Sequence, residues 1–338
     1  MSSSPRTRSL ITASMIITLL LIIMTAASII KLVPNSEEAV KIRNSLIANV
    51  GQETDFTWTP DKVPKNFRLE TSGVPDEFER IAEKIITPDL AGKSNFEKTL
   101  LIARHLSQLP ARGGAIMSTT RYTYEQIVST GKGYCADYTQ VFNALAIASD
   151  IPVREWGFAF EEYGNGHAFN EIYDPGLGKW IMVDVFNSFY LKRLSDGVPV
   201  SVMELREALL EGVAESMIEV VPIVKDNFGF KSYEKLFEYY ARGKDQFFLW
   251  WGNDVFTYER HPLIRFSASL PRSLEQGLAI IFGVHPEIRL IKSDGNDEHI
   301  QALYHKRNVF FGLVLLFAVL IGLFVVLLRF KLRELRAS

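Results

Sequence analysis

The chain has 338 residues, 47% of them hydrophobic, and a formal net charge of −2. That composition marks a globular protein with an apolar excess, and the near-zero charge balance excludes the basic footprint of a nucleic-acid partner. A single cysteine, Cys135, excludes an intramolecular disulfide and any cysteine-based metal cluster.

Residues 1–9 are polar, with Arg6 and Arg8. Residues 10–30 are uncharged and mostly apolar, a run of about 20 residues that is long enough to span a bilayer as a helix. A cleaved signal peptide is the rival reading, because Ala26, Ala27 and Ser28 suit a peptidase. The apolar core exceeds what such a peptide needs, so an uncleaved anchor is expected. Residues 309–328 form a second apolar run of about 20 residues. A tail at 329–338 follows, with Arg329, Lys331, Arg333 and Arg336; Lys306 and Arg307 lie upstream. The positive-inside rule then puts both chain ends in the cytoplasm and residues 31–308 outside.

The first outer region, 31–93, is expected to mix helix and loop. Residues 36–50 predict a helix closed by Gly51, 52–74 predict loops, and 75–86 predict a short helix led by Pro75. Residues 94–193 hold the expected core. Ser94-x-x-Glu97 is a capping box for a helix running to Leu109, with Phe96, Leu100 and Ala103 on one face. The stretch 111–120 predicts a loop, either a mobile wall of a cleft or a passive connection. Residues 124–130 predict a short helix.

Cys135 opens the helical run CADYTQVFNALAIAS, whose buried face holds Val141, Leu145 and Ala148. A thiol in the first turn of a helix meets the positive end of the macrodipole, which favours the nucleophilic thiolate. Gly131 and Gly133 let the backbone turn into that helix and leave the sulfur accessible. Pro152 keeps the helix from continuing. Two strand-like runs follow, 167–173 and 179–185, around the turn-forming DPGLG. Pairing Tyr173 with Gly178 sets His167 opposite Asp184, within side-chain reach on one face. A register one residue longer would turn Asp184 to the other face. Cysteine, histidine and aspartate placed in this way form a nucleophile, a base and a group that orients the base.

The same residues carry a family resemblance. Gly133-x-Cys135-x-Asp137-Tyr138, Ile151-Pro-Val-Arg154, Gly164-x-Gly-His167-Ala-Phe-x-Glu171 and Trp180-x-x-x-Asp184 resemble the transglutaminase-like, papain-like superfamily of bacterial proteins over about 95–190. The resemblance implies Cys135 as nucleophile, His167 as base and Asp184 as orienting acid. Phe169 stands where the family most often has tryptophan, and Val185 where a proline commonly follows the aspartate; both bear on pocket shape.

In the region 194–308, Ser201-x-x-Glu204 predicts a capped helix to about Glu211, and 231–241 and 272–282 predict two more. The run Phe247-Phe248-Leu249-Trp250-Trp251 is expected in the core, with a substrate groove or the membrane interface as alternatives. Residues 293–298 (SDGNDE) lack calcium-ligand spacing and are expected to form a solvated turn. His105, His261, His285, His299 and His305 show no metal-ligand spacing, so no metal and no cofactor is expected.

The expected fold is α+β: a transglutaminase-like core of helices followed by antiparallel sheet, flanked by two transmembrane helices. The resemblance and the topology together imply thiol acyl chemistry on an amide or ester of an envelope protein or polymer. The domain would sit on the periplasmic side of the inner membrane. The backbone N–H of Cys135 is one oxyanion donor, with Tyr122 and Tyr124 as candidates for a second. A cysteine peptidase and a non-catalytic envelope scaffold are the alternatives. The expected partners are that substrate and the lipid bilayer.

Overall fold

The computed structural model describes residues 5–50 and 56–337, so Gly51, the expected helix stop, lies outside the described residues. The chain divides into two compact units. The first joins the chain up to Leu46 with the chain from Glu298. It holds α1 (Pro5–Lys31), nearly all of α2 (Ser36–Ile47) and nearly all of the last helix, α13 (Asp297–Ala337). Two segments, Ser9–Lys31 and Asp294–Arg333, are long and apolar enough to cross a membrane. Their apolar side chains, Leu20, Ile23, Leu315 and Val319 among them, are exposed. Long helices with so many exposed apolar side chains fit membrane spans by length and composition. Within this unit Glu38 pairs with Lys306 at 2.5 Å.

The second unit, Ile47–Asp297, mixes helix and sheet. Four helices lead: α3 (Asp76–Ile85), α4 (Asn95–Leu106), α5 (Thr120–Thr130) and α6 (Cys135–Ala148). The capping box forms as its residues require: Ser94 Oγ accepts from Glu97 N at 3.2 Å, and Glu97 Oε2 accepts from Ser94 N at 3.0 Å. α4 ends at Leu106, three residues short of expectation. α5 starts four residues early because a distant carboxylate holds its first turn. Glu259 accepts from both the N–H and the hydroxyl of Thr120, at 2.6 and 2.7 Å.

Among the described residues eight strands form one sheet: β1 (Ala48–Asn49), β2 (Val153–Ala159), β3 (Gly166–Asp174), β4 (Lys179–Asp184), β5 (Phe189–Arg193), β6 (Ile218–Pro222), β7 (Phe247–Trp250) and β8 (Ile288–Leu290). Their order is β1-β8-β7-β2-β3-β4-β5-β6, antiparallel throughout except for the β1–β8 edge pair. The aromatic run at 247–251 supplies β7, buried beside β2, so core packing is its role. Side chains alternate as the pleat dictates. In β4, Ile181 and Val183 face Ile102, Phe142 and Leu145 of the leading helices. Trp180 and Met182 face the other layer, built from α7 (Val202–Glu211), α8 (Ala214–Met217) and α9 (Tyr233–Ala241). Between β7 and β8 the chain forms α10 (Val255–Arg260), α11 (Pro262–Ser267) and α12 (Arg272–Ile281).

The stretch 293–298 is a turn whose Asp294, Gly295 and Glu298 are exposed, as expected, but it is anchored by one buried residue. Asn296 is fully buried, and its amide donates to the carbonyls of Ile291 and Asp245, both at 2.6 Å, and to the Tyr163 hydroxyl at 3.2 Å. An asparagine amide can satisfy buried carbonyls that water does not reach, which composition alone does not reveal.

Two residues of the sequence motifs prove to be structural. Arg154 and Glu171 face each other across β2 and β3. Arg154 Nη2 lies 2.6 Å from Glu171 Oε2, both side chains being buried. Glu171 also accepts from Trp156 Nε1 at 2.6 Å and Val202 N at 2.8 Å. The Arg154 guanidinium sits over Trp180 and Trp58 at 4.0 and 4.9 Å from their ring centroids. Removing one partner of such a pair strands a buried charge, which costs about 3–5 kcal/mol. Glu171→Gln is therefore expected to lower unfolding stability by that amount in urea titrations; an unchanged midpoint would contradict this role.

Candidate active site

The site forms where β3 begins and β4 ends. The hairpin pairs Tyr173 with Trp180 and Asp174 with Lys179, two positions beyond the expected register. Asp184 therefore falls opposite Phe169 rather than His167 when the ladder is extended. The cause lies in the turn. Gly178 takes a left-handed φ of +63°, a loop conformation, and Asp174 Oδ1 accepts from Leu177 N at 3.1 Å. A shift of two preserves the face, so His167 and Asp184 still meet diagonally. His167 Nε2–H donates to Asp184 Oδ2 at 2.7 Å.

With Nε2 taken by the carboxylate, Nδ1 is the ring nitrogen left for sulfur, and the Cys135 side chain lies close enough to His167 to act on its charge. Cys135 is partly exposed; His167 and Asp184 are buried. The structure thus brings His167 and Asp184 into direct contact and sets Cys135 near the ring, with no hydrogen bond between the sulfur and His167 among the described residues. Burial works against charge on the His167 ring, but the Asp184 carboxylate and then the Cys135 sulfur outweigh it and raise its pKa to about 10. Burial likewise opposes charge on Asp184. His167, Tyr240 and Asn187 reverse that and hold its pKa below the ordinary carboxylate value.

Sequence reasoning missed the groups that complete this environment. Tyr240, at the end of α9, donates its hydroxyl to Asp184 Oδ2 at 2.7 Å. Asn187 donates its side-chain amide to Oδ2 at 2.7 Å and its backbone N–H to Oδ1 at 3.0 Å. Four donors converge on one carboxylate. Phe158, Phe169, Phe186, Tyr239 and Tyr240 surround the His167 ring, with centroids 5.8–6.1 Å away. Aromatic faces favour a cation. Asn187 lies three residues after Asp184 and could have been found as a local turn partner. Nothing in the α9 pattern points its terminal tyrosine at an aspartate.

The sulfur is positioned by Asp137, the acid of the Gly-x-Cys-x-Asp-Tyr pattern. Its carboxylate accepts from Tyr134 N at 2.8 Å, capping the first turn of α6. It also accepts from Ile116 N and Met117 N, both at 3.2 Å. Arg112 N donates to Gly131 O at 2.8 Å. The 111–119 stretch is thereby stitched to the start of the cysteine helix. Tyr124 and Tyr122, considered as oxyanion donors, are placed differently. The Tyr124 hydroxyl bonds His105 Nε2 at 3.0 Å, and Tyr122 is half exposed. The N–H of Cys135, in the first turn of its helix, has no intrahelical acceptor. Among the described residues no group of three or more His, Cys, Asp or Glu side chains is placed to hold a metal ion.

The raised His167 pKa makes stability depend on pH. Its contribution is fully present below about pH 6.5, the ordinary value of the ring, and is lost as pH rises through about 10. The stability difference between wild type and His167→Gln, measured by urea unfolding, is expected to shrink steadily across that window. A difference that stays constant would contradict the charged ring.

Comparison with known proteins supplies one match. A family model described as the transglutaminase-like superfamily covers residues 89–185, which include Cys135, His167 and Asp184 but neither Asn187 nor Tyr240. No curated protein and no solved structure matches the chain.

Proposed function

We propose, from the transglutaminase-like superfamily domain that residues 89–185 form, that this chain is a membrane-anchored cysteine acyltransferase or amidohydrolase. Its substrate is an amide or ester of an envelope protein or polymer. What carries the reading is the line of side chains from Cys135 to His167 to an Asp184 held by four donors. In this reading Cys135 sulfur attacks the carbonyl carbon and the charge collects on its oxygen. The backbone N–H of Cys135 receives that oxyanion. His167 gives its proton to the departing amine or alcohol as the tetrahedral intermediate collapses to a thioester. An amine or water, losing a proton to His167, then attacks the thioester and frees the thiol. Asp184 keeps Nε2 protonated, so that Nδ1 does the proton transfer.

The arginine and lysine flanks support an orientation with both chain ends in the cytoplasm and the domain outside, on the periplasmic face of the inner membrane. A reporter fused at the C-terminus should be active only in the cytoplasm; activity outside would overturn this topology.

The chemistry is tested by alkylation. Iodoacetamide should label Cys135 near neutral pH at least ten-fold faster in wild type than in His167→Ala, because only the former holds an imidazolium beside the sulfur. Equal rates would sink the reading. With acyl donors in hand, incorporation of added amines marks a transferase, and release of free acid alone marks a hydrolase.

A further inference from the structure

Five large apolar side chains lie uncovered on one stretch between β7 and β8. Phe266 is 81% exposed, Ile281 77%, Phe282 66%, Leu274 56% and Leu270 40%. Elsewhere in this unit such aliphatic residues stand singly, as Leu69, Met117, Leu177 and Leu210 do, or as the adjoining pair Leu194 and Met217. Scattered exposure is ordinary, whereas a cluster marks a surface made for contact. The inner side of the same helices is closed, with Ile264, Ala279 and Val284 packing with Tyr258 and Leu263. α11 and α12 therefore have a finished inside and an unfinished outside.

Charge and chain path indicate what covers them. From Pro262 to Val284 the only acid is Glu275, and Arg272 neutralises it at 2.5 Å. Arg265, next to Phe266, is exposed. An apolar face bordered by arginine and poor in carboxylate suits an anionic lipid surface. The stretch is also wired to the sheet edge that feeds both apolar helices. Phe282 precedes Ile288 of β8 by six positions, and Ile288 pairs with Ala48 of β1. Ala48 follows the end of α1 by seventeen positions, and α13 begins seven positions after β8.

We propose that the outer face of α11 and α12 lies in the lipid–water interface, with Phe266, Ile281 and Phe282 at the acyl boundary and Arg265 among phosphate headgroups. This rests on the reading that α1 and α13 span the same bilayer. It gives the sheet unit a lipid contact of its own beyond its two tethers. A polymer or protein substrate would then be met at the membrane surface rather than in the open compartment.

The test uses the full chain in a Cys135→Ser background, reconstituted into vesicles of phosphatidylethanolamine and phosphatidylglycerol. Single spin labels are placed through Ile281→Cys, Phe266→Cys, Val319→Cys and Leu177→Cys. Their collisions with oxygen and with a water-soluble nickel chelate are compared. All four native side chains are exposed, so labelling spares the core. The 281 and 266 labels are expected to favour oxygen several-fold, as the 319 label in α13 should, while the 177 label favours nickel. If 281 and 266 behave like 177, the face is in water and the proposal falls. If they are shielded from both reagents, a protein or a second copy covers the face and the proposal also falls. If the 319 label itself meets nickel, it is the spanning reading that has failed.

Discussion

Cys135→Ala is expected to abolish the phenotype that the wild-type gene restores to a deletion strain, while the chain still folds and inserts. The physical case has two parts. Removing a partly exposed sulfur leaves little cavity, and the first turn of α6 keeps its cap because Asp137, not Cys135, supplies it. The fold should therefore stand, with an unfolding midpoint close to wild type. The chemistry has no substitute nucleophile, since the chain has no other cysteine. Activity should drop to the uncatalysed level, and a mass-spectrometric search for an acyl adduct should find it on wild type only. An accessible unpaired thiol in an oxidising compartment is open to oxidation and mixed disulfides. A scaffold has no reason to keep one against a buried imidazole. Full complementation by the alanine variant would establish the scaffold reading in place of the enzyme.

Asp184→Asn should cost up to about 10⁴-fold in turnover, the loss seen when the same change forces the wrong histidine tautomer in serine proteases. Here the environment sharpens the effect. The aspartate accepts from His167, Tyr240 and Asn187 at Oδ2 and from the Asn187 backbone at Oδ1. An amide offers one accepting oxygen and one donating nitrogen. If its nitrogen replaces Oδ2, it faces three donors and drives the His167 proton to Nδ1, where it blocks proton transfer from sulfur. If its nitrogen replaces Oδ1, it confronts the Asn187 N–H. Either orientation leaves a buried donor unsatisfied, so a loss of stability of about 1–3 kcal/mol should accompany the kinetic loss. Turnover within ten-fold of wild type would show that the carboxylate does not set the tautomer.

Much of this site was legible because local chemistry sets it. A serine followed three residues later by glutamate starts α4 and α7 where expected, since those two side chains satisfy backbone N–H groups within one turn. Cys135 opens its helix for a comparable reason, through Asp137. The hairpin lay on the correct face but two positions out of register, because the left-handed Gly178 belongs to the turn rather than the strand. Distant pairings were not legible. β1 and β8 are two and three residues long, too short to show a period of two. The Tyr240–Asp184 bond joins residues 56 apart in sequence, and only the packing of α9 on the sheet brings them together. Arg154 and Glu171 appeared within the motifs, but their spacing does not reveal that they pair under tryptophans rather than meet a substrate.

The strand order has a practical corollary for anyone excising the recognisable segment. Residues 89–185 carry only β2, β3 and β4 of the eight strands. Cut free, β2 would lose β7 along one side and β4 would lose β5 along the other. Both are almost wholly buried in the intact sheet, so each would present raw backbone to any passing chain and invite edge-to-edge aggregation. The excised piece would also lack Asn187 and Tyr240, leaving the Asp184 carboxylate with one donor where it had four. A minimal expression unit should therefore begin before β1 and run past β8, because the sheet closes around the motif from both ends of the chain.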